Sequence, residues 1–245
     1  MERGLAESRT RAQALIMAGL VFAGERRLEK PGQTIAPDTE IEVRGRDHPW
    51  VSRGGLKLDH ALESFGIDVS GMIALDLGAS TGGFTDVLLS RGAAKVYAVD
   101  VGHGQLAWSL RQDERVVVLE KTNVRALTQE QIPEPPAILV SDLSFISLML
   151  ALPAAMVLAA PGALLVSLVK PQFEAGAEQV GKGGIVRDPD VHEAVCATIR
   201  TWLADEMGWE VLGLIESPVT GTDGNREFLI AGRKPGCVRT DRIQG

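Results

Sequence analysis

The sequence predicts an α/β protein, a doubly wound sheet of seven strands preceded by a small N-terminal domain. Three observations carry that reading. From about residue 72 onward, short apolar runs alternate with helical patterns, as in a sheet buried on both faces. The first of those runs leads into a glycine-rich turn, LDLGASTGGFTDVLL. Charge also divides the chain: eight basic and eight acidic side chains cancel within residues 1–47, so the whole net charge of −7 falls in residues 48–245.

The N-terminal stretch SRTRAQALIMAGLVFAGERR sets Arg9, Arg11, Arg26 and Arg27 around an apolar helical pattern. Ser8 reads as the N-cap of that helix and Gly19 as its stop. On charge alone this is a solvated helix face. Residues 47–50 (DHPW) read as a linker between a domain of residues 1–46 and one of residues 51–234. The second domain opens with a helix marked by Leu58, Leu62 and Phe65 and stopped by Gly66. Strands are expected at 72–78, 95–101, 116–120, 137–142, 163–169, 209–216 and 226–232. Helices are expected near 83–91, 104–111, 147–160 and 189–207, and residues 235–245 read as a loose tail.

Several function classes are disfavoured. Leu143 to Val169 holds 27 residues without a formal charge, more than the roughly 20 that cross a bilayer. Pro153 and the Pro161-Gly162 pair divide that run into a helix-like and a β-like piece, each too short to span. The two cysteines, Cys196 and Cys237, form no spaced pair and the four histidines are scattered, so neither a disulfide framework nor a metal site is expected. The first residues lack the apolar core of a signal peptide, and a cytoplasmic location is expected.

In doubly wound sheets, ligands bind at the carboxyl ends of the strands, so the first strand-to-helix turn is the place to look. Gly78, Gly82 and Gly83 let backbone pass close to a ligand there, at the N–H groups that open a helix. The spacing is not that of a dinucleotide fingerprint, and no Gly-Lys-Ser/Thr is present for a P-loop. Asp76, two residues before Gly78, instead gives D-x-G-x-x-x-G, which resembles the first motif of S-adenosylmethionine methyltransferases. That resemblance implies a Rossmann-like methyltransferase sheet with its last strand antiparallel. It implies a cofactor site that includes Ser80, Phe84 and Val101 beside the glycines. Asp100 ends the next strand, where a carboxylate accepts from ribose hydroxyls, and Asn123, past the third strand, falls near the adenine or simply caps a turn.

Asp142 ends the fourth strand and Lys170 the fifth, so both emerge at the edge that carries the glycine turn. An antiparallel last strand begins at that edge, which brings Glu227 to it, and Lys57 on the preceding helix can complete a cluster of two ammoniums and two carboxylates. The order Lys57, Asp142, Lys170, Glu227 resembles the K-D-K-E tetrad of FtsJ-like ribose 2′-O-methyltransferases. The strings VSRGGLKL, VSDLSFISL, LVKPQFEAG and GNREFL are similar to those of the TlyA (hemolysin A) family. Ser8 to Val21 resembles the S4 RNA-binding domain, with most of that domain's first helix absent and Ala23 where its hairpin usually has Asn.

The resemblance implies methyl transfer from S-adenosylmethionine to a ribose 2′-hydroxyl, of cytidine, in ribosomal RNA or ribosomal subunits. A ribose hydroxyl is a poor nucleophile and must lose its proton as the new bond forms. Lys170 is assigned to activate it, Asp142 to orient Lys170, and Lys57 and Glu227 to position the ribose; the alternative for each is a structural ion pair. Asp142 also belongs to the expected cofactor site. RNA contacts are assigned to Ser8, Arg9, Arg11, Arg26 and Arg53, and to Lys182 and Arg187 on the Gly-rich segment between Pro171 and Pro189, read as a mobile lid. Two rival readings are a membrane-acting hemolysin and an RNA-binding protein with an inactive methyltransferase fold.

Overall fold

The computed structural model describes residues 5–6, 9–17, 19–24, 26–28, 30–36, 39–43, 48–221 and 224–236. The chain forms two compact units, residues 1–49 and 50–245. Ser8, Asp47 and residues 237–245 lie outside the described residues, as does the side chain of Arg11.

In the first unit, α1 (Arg9–Met17) ends where Gly19, at φ +72°, lets its N–H reach the Ile16 carbonyl at 2.9 Å. Strands β1 (Val21–Ala23), β2 (Arg26–Arg27) and β3 (Ile41–Val43) pair antiparallel in the order β2-β1-β3. Leu15, Val21 and Leu28 form its small core. Arg9 and Arg26 are exposed.

The second unit begins with α2 (Gly54–Ser64), stopped at Gly66. There follow β4 (Ile73–Leu77), α3 (Gly83–Ser90), β5 (Lys95–Val99), α4 (Trp108–Arg111), β6 (Val116–Leu119) and β7 (Ile138–Ser141). Next come α5 (Leu148–Ala151), α6 (Pro153–Leu158), β8 (Leu164–Val169), α7 (Pro171–Glu174), α8 (Pro189–Thr201), β9 (Glu210–Glu216) and β10 (Phe228–Arg233). The sheet order is β6-β5-β4-β7-β8-β10-β9, with β10 antiparallel to both neighbours. The order reverses between β4 and β7, which makes their carboxyl ends the expected ligand edge.

Alternation along β4 serves two cores. Leu75 and Leu77 pack on one face with Met156, Ile199 and Trp202, while Ala74 faces the other with Leu58, Leu62 and Leu88. Almost all of these side chains are excluded from water, and that burial is the main force holding helices to both faces.

Three expected helices differ. The helix expected at 147–160 is two, because Pro153 has no N–H for the Met149 carbonyl and restarts the chain as the first residue of α6. Of 104–111 only the last four residues are helical, after the bend that begins at Val101. The 189–207 helix is α-helical to Thr201 and finishes in a π turn, Trp202–Glu206. Among the described residues, no helix is long and apolar enough to cross a membrane.

Candidate active site

Register brings the four tetrad residues together. Val169 of β8 pairs with Phe228 of β10, so the next residue of one strand, Lys170, faces the preceding residue of the other, Glu227. Pro171 opens α7 directly after Lys170, turning the chain away and leaving the ammonium at the sheet edge. Lys170 Nζ lies 2.5 Å from Asp142 Oδ1, and Asp142 Oδ2 lies 3.6 Å from Lys57 Nζ. Lys57 Nζ in turn donates to Glu227 Oε2 at 2.6 Å. The result is a chain of alternating charge, Glu227–Lys57–Asp142–Lys170. Its outer carboxylate is the most enclosed: the Glu227 side chain is 3% exposed and that of Asp142 22%. Glu227 therefore holds Lys57 from the enclosed end of the chain. Each charge here is matched, as burial of ions requires.

The glycine turn lies beside this chain. Gly78 adopts φ +85°, and a Cβ there would stand 2.7 Å from the Asp142 carbonyl oxygen. At Gly82, φ +101°, a Cβ would collide with Leu110 and Leu106; at Gly83 it would meet Ser52 and Gly55. At these glycines a side chain is excluded by the protein's own backbone and side chains. The Phe84 side chain is buried in the apolar cluster with Leu58 and Val87.

Asp100 is held by two backbone donors, Ser80 N–H to Oδ2 at 2.8 Å and Gly102 N–H to Oδ1 at 2.6 Å. Ser80 takes φ +48° to do so. A carboxylate has about four acceptor positions, so two remain open. Val101 beside it is 71% exposed, an uncovered apolar side chain. Asn123 caps the turn Val124–Ala126, its Oδ1 accepting from Arg125 N–H at 3.0 Å. Asp76 is fully buried; Thr85 Oγ1 donates to its Oδ2 at 2.6 Å, while Oδ1 has no partner in the structure. Burial pushes the Asp76 carboxyl up to about 7, with the Thr85 hydrogen bond opposing and the charges of Asp142 and Asp100 adding.

The FtsJ-like methyltransferase family matches residues 50–234. The chain belongs to that family. A 16S/23S rRNA (cytidine-2′-O)-methyltransferase, TlyA of Mycobacterium tuberculosis, is 51% identical over 232 residues, 94% of this chain and 86% of that protein. A solved structure from Streptococcus thermophilus, provisionally named a hemolysin, is 47% identical with a TM-score of 0.79, covering 98% of this chain and 89% of its own. An S-adenosylmethionine-dependent methyltransferase structure from Listeria monocytogenes, also provisionally named, is 18% identical over 75% of this chain and 99% of its own, with a TM-score of 0.55. That likeness shows the shared fold.

Within this FtsJ-like domain, sequence reasoning passed over three residues. Ser144 Oγ accepts from Lys170 Nζ at 3.1 Å. Phe145, at φ +65°, is 90% exposed, and its ring centroid lies 5.1 Å from that of Phe173, which also lies 6.0 Å from Lys170 Nζ. The one signal for Phe145 was an aromatic in a short turn between a strand and a capped helix, where nothing in the local pattern requires one. Arg53, Lys182 and Arg187 are exposed. The segment around Lys182 folds back on itself: Gly181 and Ile185 form a β-bridge, with Gly183 and Gly184 at positive φ making its turn.

Proposed function

We propose that this chain uses S-adenosylmethionine to methylate the 2′-hydroxyl of a cytidine in ribosomal RNA. The observation that carries the reading is the charge chain ending at Lys170. Of the three positions on the Lys170 nitrogen, Asp142 and Ser144 take two as N–H donors, and the third, a lone pair in the neutral amine, meets the substrate hydroxyl. The Asp100 carboxylate, pre-positioned by Ser80 and Gly102, fits the ribose hydroxyls of the cofactor, and buried Asp76 supports the glycine turn from beneath through Thr85.

When bound, the cofactor supplies a methyl group on a sulfonium. Lys170 Nζ takes the hydroxyl proton as the ribose oxygen gains its new bond to carbon, and Asp142 holds that nitrogen in place. A lysine in this role must be neutral when the substrate arrives. Lys57, fixed by Glu227, keeps Asp142 aimed and neutralises it. Phe145 offers an uncovered ring on which a base near the target ribose stacks. Arg53, Lys182 and Arg187, with Arg9 and Arg26 of an S4-like N-terminal unit, supply phosphate contacts.

The test is transfer of labelled methyl from S-adenosylmethionine to ribosomal subunits purified from cells that lack this enzyme, followed by mapping of the label. Label on a cytidine 2′-oxygen is expected. Label on a base, or on protein, contradicts the reading.

A further inference from the structure

Two residues before Glu227 stands Asn225, only 2% exposed. Its side chain faces a different part of the chain. Oδ1 accepts from Val186 N–H at 3.0 Å, and Nδ2 donates to the Gly184 carbonyl at 2.9 Å. Its own carbonyl accepts from Gly221 N–H at 2.9 Å. The turn it grips is closed by Gly181 N–H to the Ile185 carbonyl at 3.1 Å. From the other side, buried His192 places Nε2 3.0 Å from the Val186 carbonyl. Lys182 and Arg187 are exposed on this hairpin. Of the acidic neighbours, Asp188 is engaged in capping α8 through Asp190 N–H.

An asparagine amide donates and accepts at once, so it can satisfy a backbone N–H and a backbone carbonyl together. No alkyl or carboxylate side chain does both. The buried N–H of Val186 and the carbonyl of exposed Gly184 are therefore matched together by Asn225 in particular, and losing it leaves the Val186 N–H unpaired.

We propose that Asn225 is a positioning residue that fixes the 181–187 hairpin beside the tetrad as a preformed phosphate-binding lip carrying Lys182 and Arg187. This rests on the RNA reading above. The target ribose is joined directly to its flanking phosphates, so a basic lip anchored two residues from Glu227 is placed to take one of them. Fixing the lip in advance removes the ordering cost that a mobile loop would add to each binding event.

The full-length protein tests this in two arms. In the first, hydrogen exchange is followed in the free protein, wild type against Asn225→Ala. Faster exchange at the amides of residues 181–187, with the sheet unchanged, is expected; unchanged exchange there overturns the clamp whether or not ribosomal RNA is the substrate. In the second, binding to unmodified ribosomal subunits is measured against salt for Asn225→Ala, for Lys182→Ala/Arg187→Ala, and for the triple variant. Asn225→Ala and the double variant are each expected to weaken binding about 10-fold and to reduce the salt slope by about 1–2. The triple variant is expected to bind no more weakly than the double. Independent, additive losses, or a loss of single-turnover rate at saturating subunits with binding intact, would mean that Asn225 acts through Glu227 and would overturn the proposal. If Asn225→Ala fails to fold, Asn225→Asp serves, since it keeps the acceptor for Val186 and removes the donor to Gly184. Failure of wild-type protein to bind subunits would count against the RNA reading and leave the exchange arm standing.

Discussion

Lys170 and Lys234 follow adjacent antiparallel strands, β8 and β10, and so emerge at opposite edges of one sheet. Lys234 Nζ donates to the carbonyls of Met156, Val157 and Ala159 at 2.9, 3.4 and 2.6 Å, capping the end of α6. Its three donors are used, and burial alone lowers its pKa. Lys170 faces a carboxylate and a hydroxyl, and it keeps one position open at the edge where the strand order reverses. A lysine saturated by fixed backbone dipoles holds structure. One with ionisable partners and an open position can exchange a proton.

The largest effect that sharpens this contrast is Lys170→Ala. Single-turnover methylation is expected to fall about 10²–10⁴-fold, the range for a positioned acid–base group, with cofactor binding and thermal midpoint nearly unchanged. Next comes Asp100→Ala, expected to weaken S-adenosylmethionine binding by roughly 1–3 kcal/mol by calorimetry, because the ribose partners lose their acceptor. Unchanged affinity removes Asp100 from the cofactor site.

Asp76→Asn probes the same edge through pH. The folded carboxyl titrates near 7 against an ordinary 3.8, so its contribution to stability is full below about 4 and is lost as pH rises toward 7. The variant's unfolding free energy is therefore expected to gain on the wild type as pH rises from 5 to 7, by about 2 kcal/mol. A gap independent of pH contradicts the buried, protonated carboxyl. The smallest effect is Lys234→Ala, expected to cost about 1 kcal/mol of stability with no change in single-turnover rate. A loss of rate there would erase the distinction between the two lysines.

Much of the sheet was legible because strands buried on both faces are continuous apolar runs, and punctuation by Gly and Pro bounds them. The edge on which Asp142 and Lys170 meet followed from parallel direction alone. Glu227 needed the antiparallel last strand, which local pattern does not encode and family resemblance supplied. What stayed hidden depends on loops brought together in three dimensions. Ser144 and Phe145 gain meaning from Lys170 and Phe173 across 26 to 28 residues of chain. Glycines at 181, 183 and 184 suggested mobility, yet Asn225 grips that hairpin from about 40 residues away. At Gly82 and Gly83, close packing against Leu110 and Ser52 also excludes a Cβ, a constraint that the local pattern does not show.

The most direct test of the central claim is single-turnover methylation by Lys170→Arg with saturating ribosomal subunits and S-adenosylmethionine. A guanidinium keeps the positive charge and can pair with Asp142, but it does not give up its proton. The expected result is a rate reduced nearly as far as in Lys170→Ala, with a thermal midpoint close to the wild type. Near-normal turnover would show that a fixed positive charge suffices, and would contradict the role of Lys170 in taking the hydroxyl proton.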